Sequence, residues 1–143
     1  SVSQVDRDQL AKIVDDLKSA GFFIVLDDFG TKYSNLSILS AVDFDWVKLD
    51  KSLVADIEYN IRGRMVVKET LRMCGDFNGT KLLAEGIETE GQLKLLNGYR
   101  CDYGQGFYFS KPLPIEDFEE LYREGSFLPR MDSGAQPAGY LKN

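Results

Sequence analysis

Short apolar segments alternate with segments of helical periodicity along this chain of 143 residues. The run FFIVL, residues 22–26, is apolar at every position, which is typical of a strand whose two faces are both covered. Further short strands are predicted at residues 46–50, at 81–85 and near 101–107. Apolar residues recur at helical spacing in residues 8–20, 66–77, 89–97 and 114–122, and residues 34–40 predict a short helix. Alternation of this kind predicts an α/β fold with a parallel sheet.

Chain length limits which parallel fold is possible. A complete (β/α)₈ barrel needs about 250 residues, so this chain could supply roughly half of one. No dinucleotide-binding glycine motif or phosphate-binding loop follows a predicted strand, which argues against a nucleotide-binding Rossmann unit. After Gly125 the composition changes to Ser, Gly, Pro and Ala. We therefore expect a core domain at residues 1–124 and a C-terminal extension at residues 125–143.

Charge and composition exclude several classes of function. The net charge of −6 argues against binding to a nucleic-acid polymer or an anionic membrane surface. No apolar run is long enough to span a membrane, and we expect a cytoplasmic protein whose two cysteines, Cys74 and Cys101, stay reduced on separate elements. The chain contains no histidine, the commonest general base. Any hydrolytic chemistry must therefore use carboxylates, lysine or amides.

Polar side chains follow the predicted strands at the points where they end: Asp27, Asp28, Lys48, Glu85, Glu88 and Gln105. The carboxyl ends of parallel strands lie on one edge of a sheet, where α/β proteins place their sites. Carboxylates gathered on one edge repel each other unless a cation lies among them, and hard cations such as Mg²⁺ or Mn²⁺ take oxygen ligands. Two adjacent aspartates could serve two metal ions, the arrangement used for in-line attack on phosphodiesters.

Each of these residues also has a simpler structural interpretation. Asp27 and Asp28 could form a turn or cap a helix, and Lys48 could merely pair with an acid on a neighbouring strand. The two glutamates could be solvated loop acids, and Asp50 is predicted only to cap the helix that follows it. These alternatives do not share a cause, so the combined pattern favours a metal-dependent site more strongly than any single residue does.

Four segments, LDDFGTKYSNL, VKLDKSLV, LLAEGIETEGQLKLL and CDYGQGFYFSKPLP, resemble successive motifs of the EAL-domain family in order and spacing. The resemblance covers about residues 5–122. It implies the second half of a modified TIM-like (β/α) barrel with parallel strands. It also implies bacterial second-messenger signalling, in which cyclic di-GMP is hydrolysed to linear pGpG with two Mg²⁺ or Mn²⁺ ions per complete site.

The same resemblance implies a role for each motif residue. Asp27 resembles a ligand of the first metal and Asp28 a ligand of the second, with one of them bridging. Lys48 resembles the lysine that contacts the attacking water and the substrate phosphate. Glu85 resembles the glutamate that acts as general base or helps to activate water. These roles agree with the physical chemistry, since a carboxylate can take a proton and an ammonium group can offset charge developing on phosphate.

Two more residues complete the resemblance, and two depart from it. Glu88 resembles the glutamate near the loop after Asp-Asp-Phe-Gly, and Gln105 the glutamine that helps to hold the hydrated site. Lys32 stands where glycine is usual, and Asn35 where serine is usual. Lysine does not easily adopt a positive φ, so this loop is predicted to be held differently. Lys32 therefore motivates an alternative function, a degenerate EAL domain that binds cyclic di-GMP or a protein partner without cleavage.

The Glu-Ala-Leu signature strand and the later asparagine and glutamate ligands of the family would precede Ser1. We therefore expect a fragment of a larger protein. We expect it to be inactive alone, because Mg²⁺ prefers six oxygen ligands and the remaining ligands of the family would precede Ser1. A half barrel would also leave open sheet edges and an uncovered apolar face. This predicts pairing with the missing N-terminal half or with a second copy, and we expect a homodimer.

Overall fold

Four parallel strands form one sheet in the computed structural model, which describes residues 4–31 and 36–124. The spatial order is β1-β2-β3-β4, and each strand pairs in parallel with the next. The predicted α/β fold with a parallel sheet is thereby confirmed. In chain order the elements are α1 Gln4–Ser19, β1 Val25–Phe29, α2 Leu36–Ala41, β2 Trp46–Leu49, α3 Lys51–Val54, α4 Ile61–Gly75, β3 Lys81–Ala84, α5 Glu90–Gly98, β4 Tyr103–Gly104 and α6 Ile115–Glu124.

Side-chain caps fix where three of the helices begin. The carboxylate of Asp50 accepts a hydrogen bond from the backbone N–H of Ser52 at 2.9 Å, which confirms its predicted role as the N-cap of α3. The side chain of Asn60 caps α4 in the same way, and Thr89 caps α5. Apart from this predicted cap, the sequence pattern gives no residue range for the short helix α3. It spans only four residues, too few for a periodicity of 3.6 to be recognised.

One face of the sheet is buried under the helices and carries the core. Val47 and Leu49 of β2 are fully buried, and so are Leu82 and Ala84 of β3, to within 1% exposure. These alternate positions point to one face, as the two-residue period of a strand requires. The helix α4 packs against β3 and adds Val67, Leu71 and Cys74 to the same apolar cluster.

The opposite face of the sheet is less covered. Trp46 and Lys48, which alternate with the core residues of β2, are only half-buried. In β1, Val25 is 46% exposed, and Phe23 just before the strand is 79% exposed. The prediction that this segment is covered on both faces is therefore wrong for the described residues. The physical reason is that β1 is an edge strand of the described sheet, so another strand flanks it on one side only.

Exposed apolar side chains also occur in α6, the last helix of the described residues. Phe118 and Tyr122 of α6 are 46% and 72% exposed, and their rings stack with centroids 6.3 Å apart. Such faces favour association, but the expected homodimer stays a prediction.

The predicted extension, residues 125–143, lies outside the described residues, as do Lys32, Ser34 and Asn35. Within the described part of the chain, no helix is long and apolar enough to cross a membrane.

Both cysteines are buried thiols on separate elements, as predicted. Cys74 lies in α4 and Cys101 precedes β4, and neither takes part in a disulfide. Burial disfavours the thiolate, which raises the pKa of Cys74 to about 11 and that of Cys101 to about 12. Burial therefore disfavours the thiolate form that nucleophilic attack and metal binding require.

Candidate active site

All but one of the polar residues predicted from the strand ends meet at the carboxyl edge of the sheet. Asp27 lies in β1 and Lys48 in β2, while Glu85 and Gln105 directly follow β3 and β4. The register pairs Leu49 with Ala84 and Ala84 with Gly104. Each of these paired positions is one residue away from a site residue. The parallel sheet thus places side chains from four separated segments at neighbouring positions.

A β-bulge explains how two consecutive aspartates can serve one site. Leu26 pairs with Val47, yet Phe29 pairs with Leu49, so β1 contains one extra residue between these pairs. In a regular strand, Asp27 and Asp28 would point to opposite faces. Here Asp28 adopts a φ of +53°, and its backbone N–H donates to Asp27 Oδ1 at 2.9 Å. The bulge brings an oxygen from each carboxylate into one group.

Lys48 bridges two of the acids. Its Nζ lies 2.6 Å from Glu85 Oε1 and 3.1 Å from Asp27 Oδ1. Gln105 Nε2 donates to the same Glu85 oxygen at 2.9 Å. The side chains of Glu85 and Lys48 are 17% and 26% exposed, whereas that of Asp27 is 60% exposed. Glu85 is therefore held from two sides in a partly dry environment, and Asp27 faces solvent.

These contacts favour the charged forms of Asp27 and Lys48. The hydrogen bond from Lys48 is the main cause that lowers the pKa of Asp27, and the Asp28 N–H adds to it. The hydrogen bond to Glu85 is the main cause that raises the pKa of Lys48, followed by the one to Asp27. Asp27 is consequently a carboxylate and Lys48 an ammonium group at neutral pH.

The donor set suits a hard divalent cation. One carboxylate oxygen from each of Asp27, Asp28 and Glu85 lies within 4.8 Å of the other two. Mg²⁺ and Mn²⁺ prefer such oxygen ligands. The Lys48 ammonium group contacts two of these three residues, so in the metal-free protein it partly neutralises the carboxylates that a cation would bind.

Glu88 is the one predicted site residue that the structure places apart. Its side chain is exposed and lies outside the acidic group, and it forms no ion pair or side-chain hydrogen bond with the residues described. Its backbone N–H donates to Gln92 Oε1 at 2.8 Å. Gln92 is absent from the sequence-derived site, although Thr89 and Gln92 have the spacing of a capping box, which could have drawn attention to it.

Comparison with protein families and solved structures agrees with the resemblance in the motifs. The EAL domain model matches residues 1–112. The chain is 44% identical over 110 residues to the probable cyclic di-GMP phosphodiesterase PdeB of Escherichia coli K12, covering 76% of this chain and 20% of PdeB. It is 35% identical over 120 residues to the cyclic di-GMP phosphodiesterase NbdA of Pseudomonas aeruginosa, covering 84% of this chain and 15% of NbdA. The chain thus spans a fifth or less of these curated relatives.

Solved EAL structures resemble this chain in fold and in sequence. The EAL domain of Mycobacterium smegmatis DcpA superposes with a TM-score of 0.74 and 34% identity, covering 84% of this chain and 53% of that EAL-domain chain. The c-di-GMP-bound standalone EAL protein of Vibrio cholerae O395 superposes with a TM-score of 0.68 and 33% identity, covering 75% of this chain and 45% of that one. The four-stranded sheet is therefore part of a TIM-like barrel, and the chain belongs to the EAL domain family.

Proposed function

We propose that this chain supplies the C-terminal part of a site that hydrolyses cyclic di-GMP to linear pGpG by a two-metal mechanism. The observation that carries the proposal is the cluster of Asp27, Asp28 and Glu85 within 4.8 Å of one another, bridged by Lys48, at the carboxyl edge of a parallel sheet. Two relatives that are named phosphodiesterases and a structure with bound c-di-GMP support the choice of substrate.

In this proposal Asp27 and Asp28 hold Mg²⁺ or Mn²⁺, two ions per complete site. When bound, such ions lower the pKa of water and offset phosphate charge. Glu85 accepts the proton of the attacking water, and Gln105 keeps its carboxylate oriented through the 2.9 Å hydrogen bond. Lys48 offsets the negative charge that develops on the phosphate. Glu88 acts from the neighbouring loop as a supporting acid.

The proposed activity belongs to the complete protein. We expect the isolated chain to have little or no activity, because the carboxylates grouped here are fewer than the six oxygen ligands that Mg²⁺ prefers. The alternative, binding of cyclic di-GMP or a protein partner without cleavage, rests on Lys32, which lies outside the described residues. No contact among the described residues favours it.

The test uses the complete protein that contains this segment. It is incubated with cyclic di-GMP and MnCl₂, and linear pGpG is separated by chromatography. Asp27→Asn should reduce turnover by at least about a hundredfold, the scale of losing one charge-stabilising group. The control is Asp43→Asn, the same chemical change at an exposed aspartate. Asp43 lies between α2 and β2 and forms an ion pair with Lys18 of α1. Equal turnover by the wild type and Asp27→Asn would reject the metal role, and tight binding without product would favour the alternative.

A further inference from the structure

The side chain of Gln92 is buried and uses its full hydrogen-bonding capacity. It is 4% exposed, in the first turn of α5. Its Oε1 accepts hydrogen bonds from the backbone N–H groups of Glu88 at 2.8 Å and Thr89 at 3.1 Å. Its Nε2 donates to the carbonyls of Val54 at 3.3 Å and Ala55 at 3.1 Å. A carboxamide offers two donors and an acceptor with two lone pairs, so all four are occupied.

These four bonds join the end of α3 to the loop that follows β3. Val54 and Ala55 end the short helix α3, which begins two residues after β2 and therefore follows Lys48 closely. Glu88 and Thr89 lie in the loop that follows β3 and therefore follow Glu85. One buried amide thus connects the segments that leave the two central strands of the sheet.

The other side of the same loop is fixed by backbone contacts. The N–H of Ile87 donates to the carbonyl of Gln105 at 3.1 Å, and the N–H of Tyr108 donates to the carbonyl of Ile87 at 2.9 Å. Residues 85–89 are therefore tied to the β4 side by backbone hydrogen bonds and to the α3 side by the carboxamide of Gln92. Glu88 and Thr89 are the members of this loop whose backbone N–H groups donate to Gln92.

A capping box alone does not account for this arrangement. A capping box needs only an acceptor at the third helical position, and glutamate serves there as well as glutamine. Glutamate cannot donate to the carbonyls of Val54 and Ala55. The two donated bonds are therefore the feature that goes beyond helix capping, and they distinguish the two side chains at this position.

We infer that Gln92 is a positioning residue of the active edge: its carboxamide holds the loop of Glu85 and Glu88 against the end of α3 and so sets where Glu88 stands relative to Lys48. The kinetic part of this inference rests on the proposed function. Its structural part does not, because the hydrogen bonds to the Glu88 and Thr89 amides can be measured without substrate.

The discriminating variant is Gln92→Glu, which keeps the acceptor and the volume but loses both donors. Gln92→Met removes all four bonds and leaves no buried charge, so it serves if the glutamate variant does not fold. Leu96→Ala is the control, because Leu96 is fully buried one turn further along α5 and lies outside the loop. It destabilises the packing of the helix without touching the tether.

Two readouts are taken on the complete protein. In hydrogen exchange, the Glu88 and Thr89 amides should exchange at least about tenfold faster in the Gln92 variants than in the wild type, beyond any change seen in Leu96→Ala. With cyclic di-GMP and Mn²⁺, the Gln92 variants should lose at least about tenfold in kcat with KM changed less than about threefold, while Leu96→Ala keeps the wild-type kcat.

The outcomes separate the two proposals. Wild-type exchange and wild-type kcat in Gln92→Glu would overturn the positioning role, and so would an equal loss of kcat in Leu96→Ala. A wild-type protein without turnover would overturn the proposed phosphodiesterase, and the exchange measurement would then decide the role of Gln92 by itself.

Discussion

Replacing Lys48 by methionine tests whether its ammonium group holds the acidic cluster together. The substitution keeps most of the side-chain length and removes the charge that lies 2.6 Å from Glu85 and 3.1 Å from Asp27. These two carboxylates, which come within 4.8 Å of each other, would then face one another without the intervening cation. Their repulsion should lower the stability of the metal-free protein.

The expected magnitude follows from the burial of the Lys48–Glu85 pair. Exposed ion pairs contribute about 0.2–1 kcal/mol, whereas removing one partner of a fully buried pair costs about 3–5 kcal/mol. With side-chain exposures of 26% and 17%, this pair lies between these limits. We expect the free energy of unfolding to fall by about 1–2 kcal/mol, which corresponds to a decrease in Tm of about 2–8 °C for a domain of this size.

Thermal unfolding in the presence of a chelator measures this effect. The loss should be largest at about 10 mM salt and smaller at about 1 M, because the Debye length shrinks from about 30 to about 3 Å. Lys81→Met is the matched control, since Lys81 is exposed on the neighbouring strand β3 and has no ion pair among the residues described. It should leave Tm within about 1 °C of the wild type.

Divalent cations provide the second half of the test. Mn²⁺ should raise the Tm of Lys48→Met more than that of the wild type, because no ammonium group then competes with the metal for Asp27. Turnover of cyclic di-GMP should nevertheless fall, since Lys48 is proposed to offset phosphate charge. A Lys48→Met protein as stable as the Lys81→Met control at low salt, with no larger response to Mn²⁺, would refute the electrostatic reasoning.

Two further predictions concern the core and the loop after β4. Burial raises the pKa values of Cys74 and Cys101 to about 11 and about 12, above the value of about 9 in the unfolded chain. The contribution of these thiols to the free energy of unfolding is therefore fully present below about pH 9. It is lost as the pH rises further, because only the unfolded thiols ionise there. Denaturant unfolding should show that the free energy of unfolding falls by about 2–3 kcal/mol between pH 8 and pH 10, at about 1.4 kcal/mol per pH unit and thiol. If the variant with both cysteines replaced by alanine loses stability over this pH range as steeply as the wild type, the thiols are not the cause. Gly106→Ala should lower stability by about 1–3 kcal/mol in the same assay, since the added methyl group would overlap the backbone of Ile87. A fully stable Gly106→Ala protein would show that this contact is not tight.

Periodicity in the sequence was sufficient to predict the α/β class and the approximate position of each strand in the described residues. Apolar runs and helical stripes are local patterns, and each follows from burial on one side of one element. The four motifs were sufficient to indicate the EAL family, because their residue types and order need no three-dimensional information. The same local reasoning failed for α3, which is shorter than a recognisable helical period. It also failed for the exposure of β1, which depends on which elements lie beside the strand.

Residue types and their order along the chain imply that carboxylates, a lysine and an amide lie at the ends of successive parallel strands, and hence on one edge of a sheet. How these side chains meet becomes visible only in three dimensions: the bulge that turns Asp28 toward Asp27, the Lys48 bridge to Glu85, and the carboxamide of Gln92 between α3 and the loop after β3. The bulge depends on how β1 pairs with β2, and the contacts of Lys48 with Glu85 and of Gln92 with Val54 join residues far apart in the chain. Their distances follow from strand register and loop packing, which no short stretch of sequence encodes.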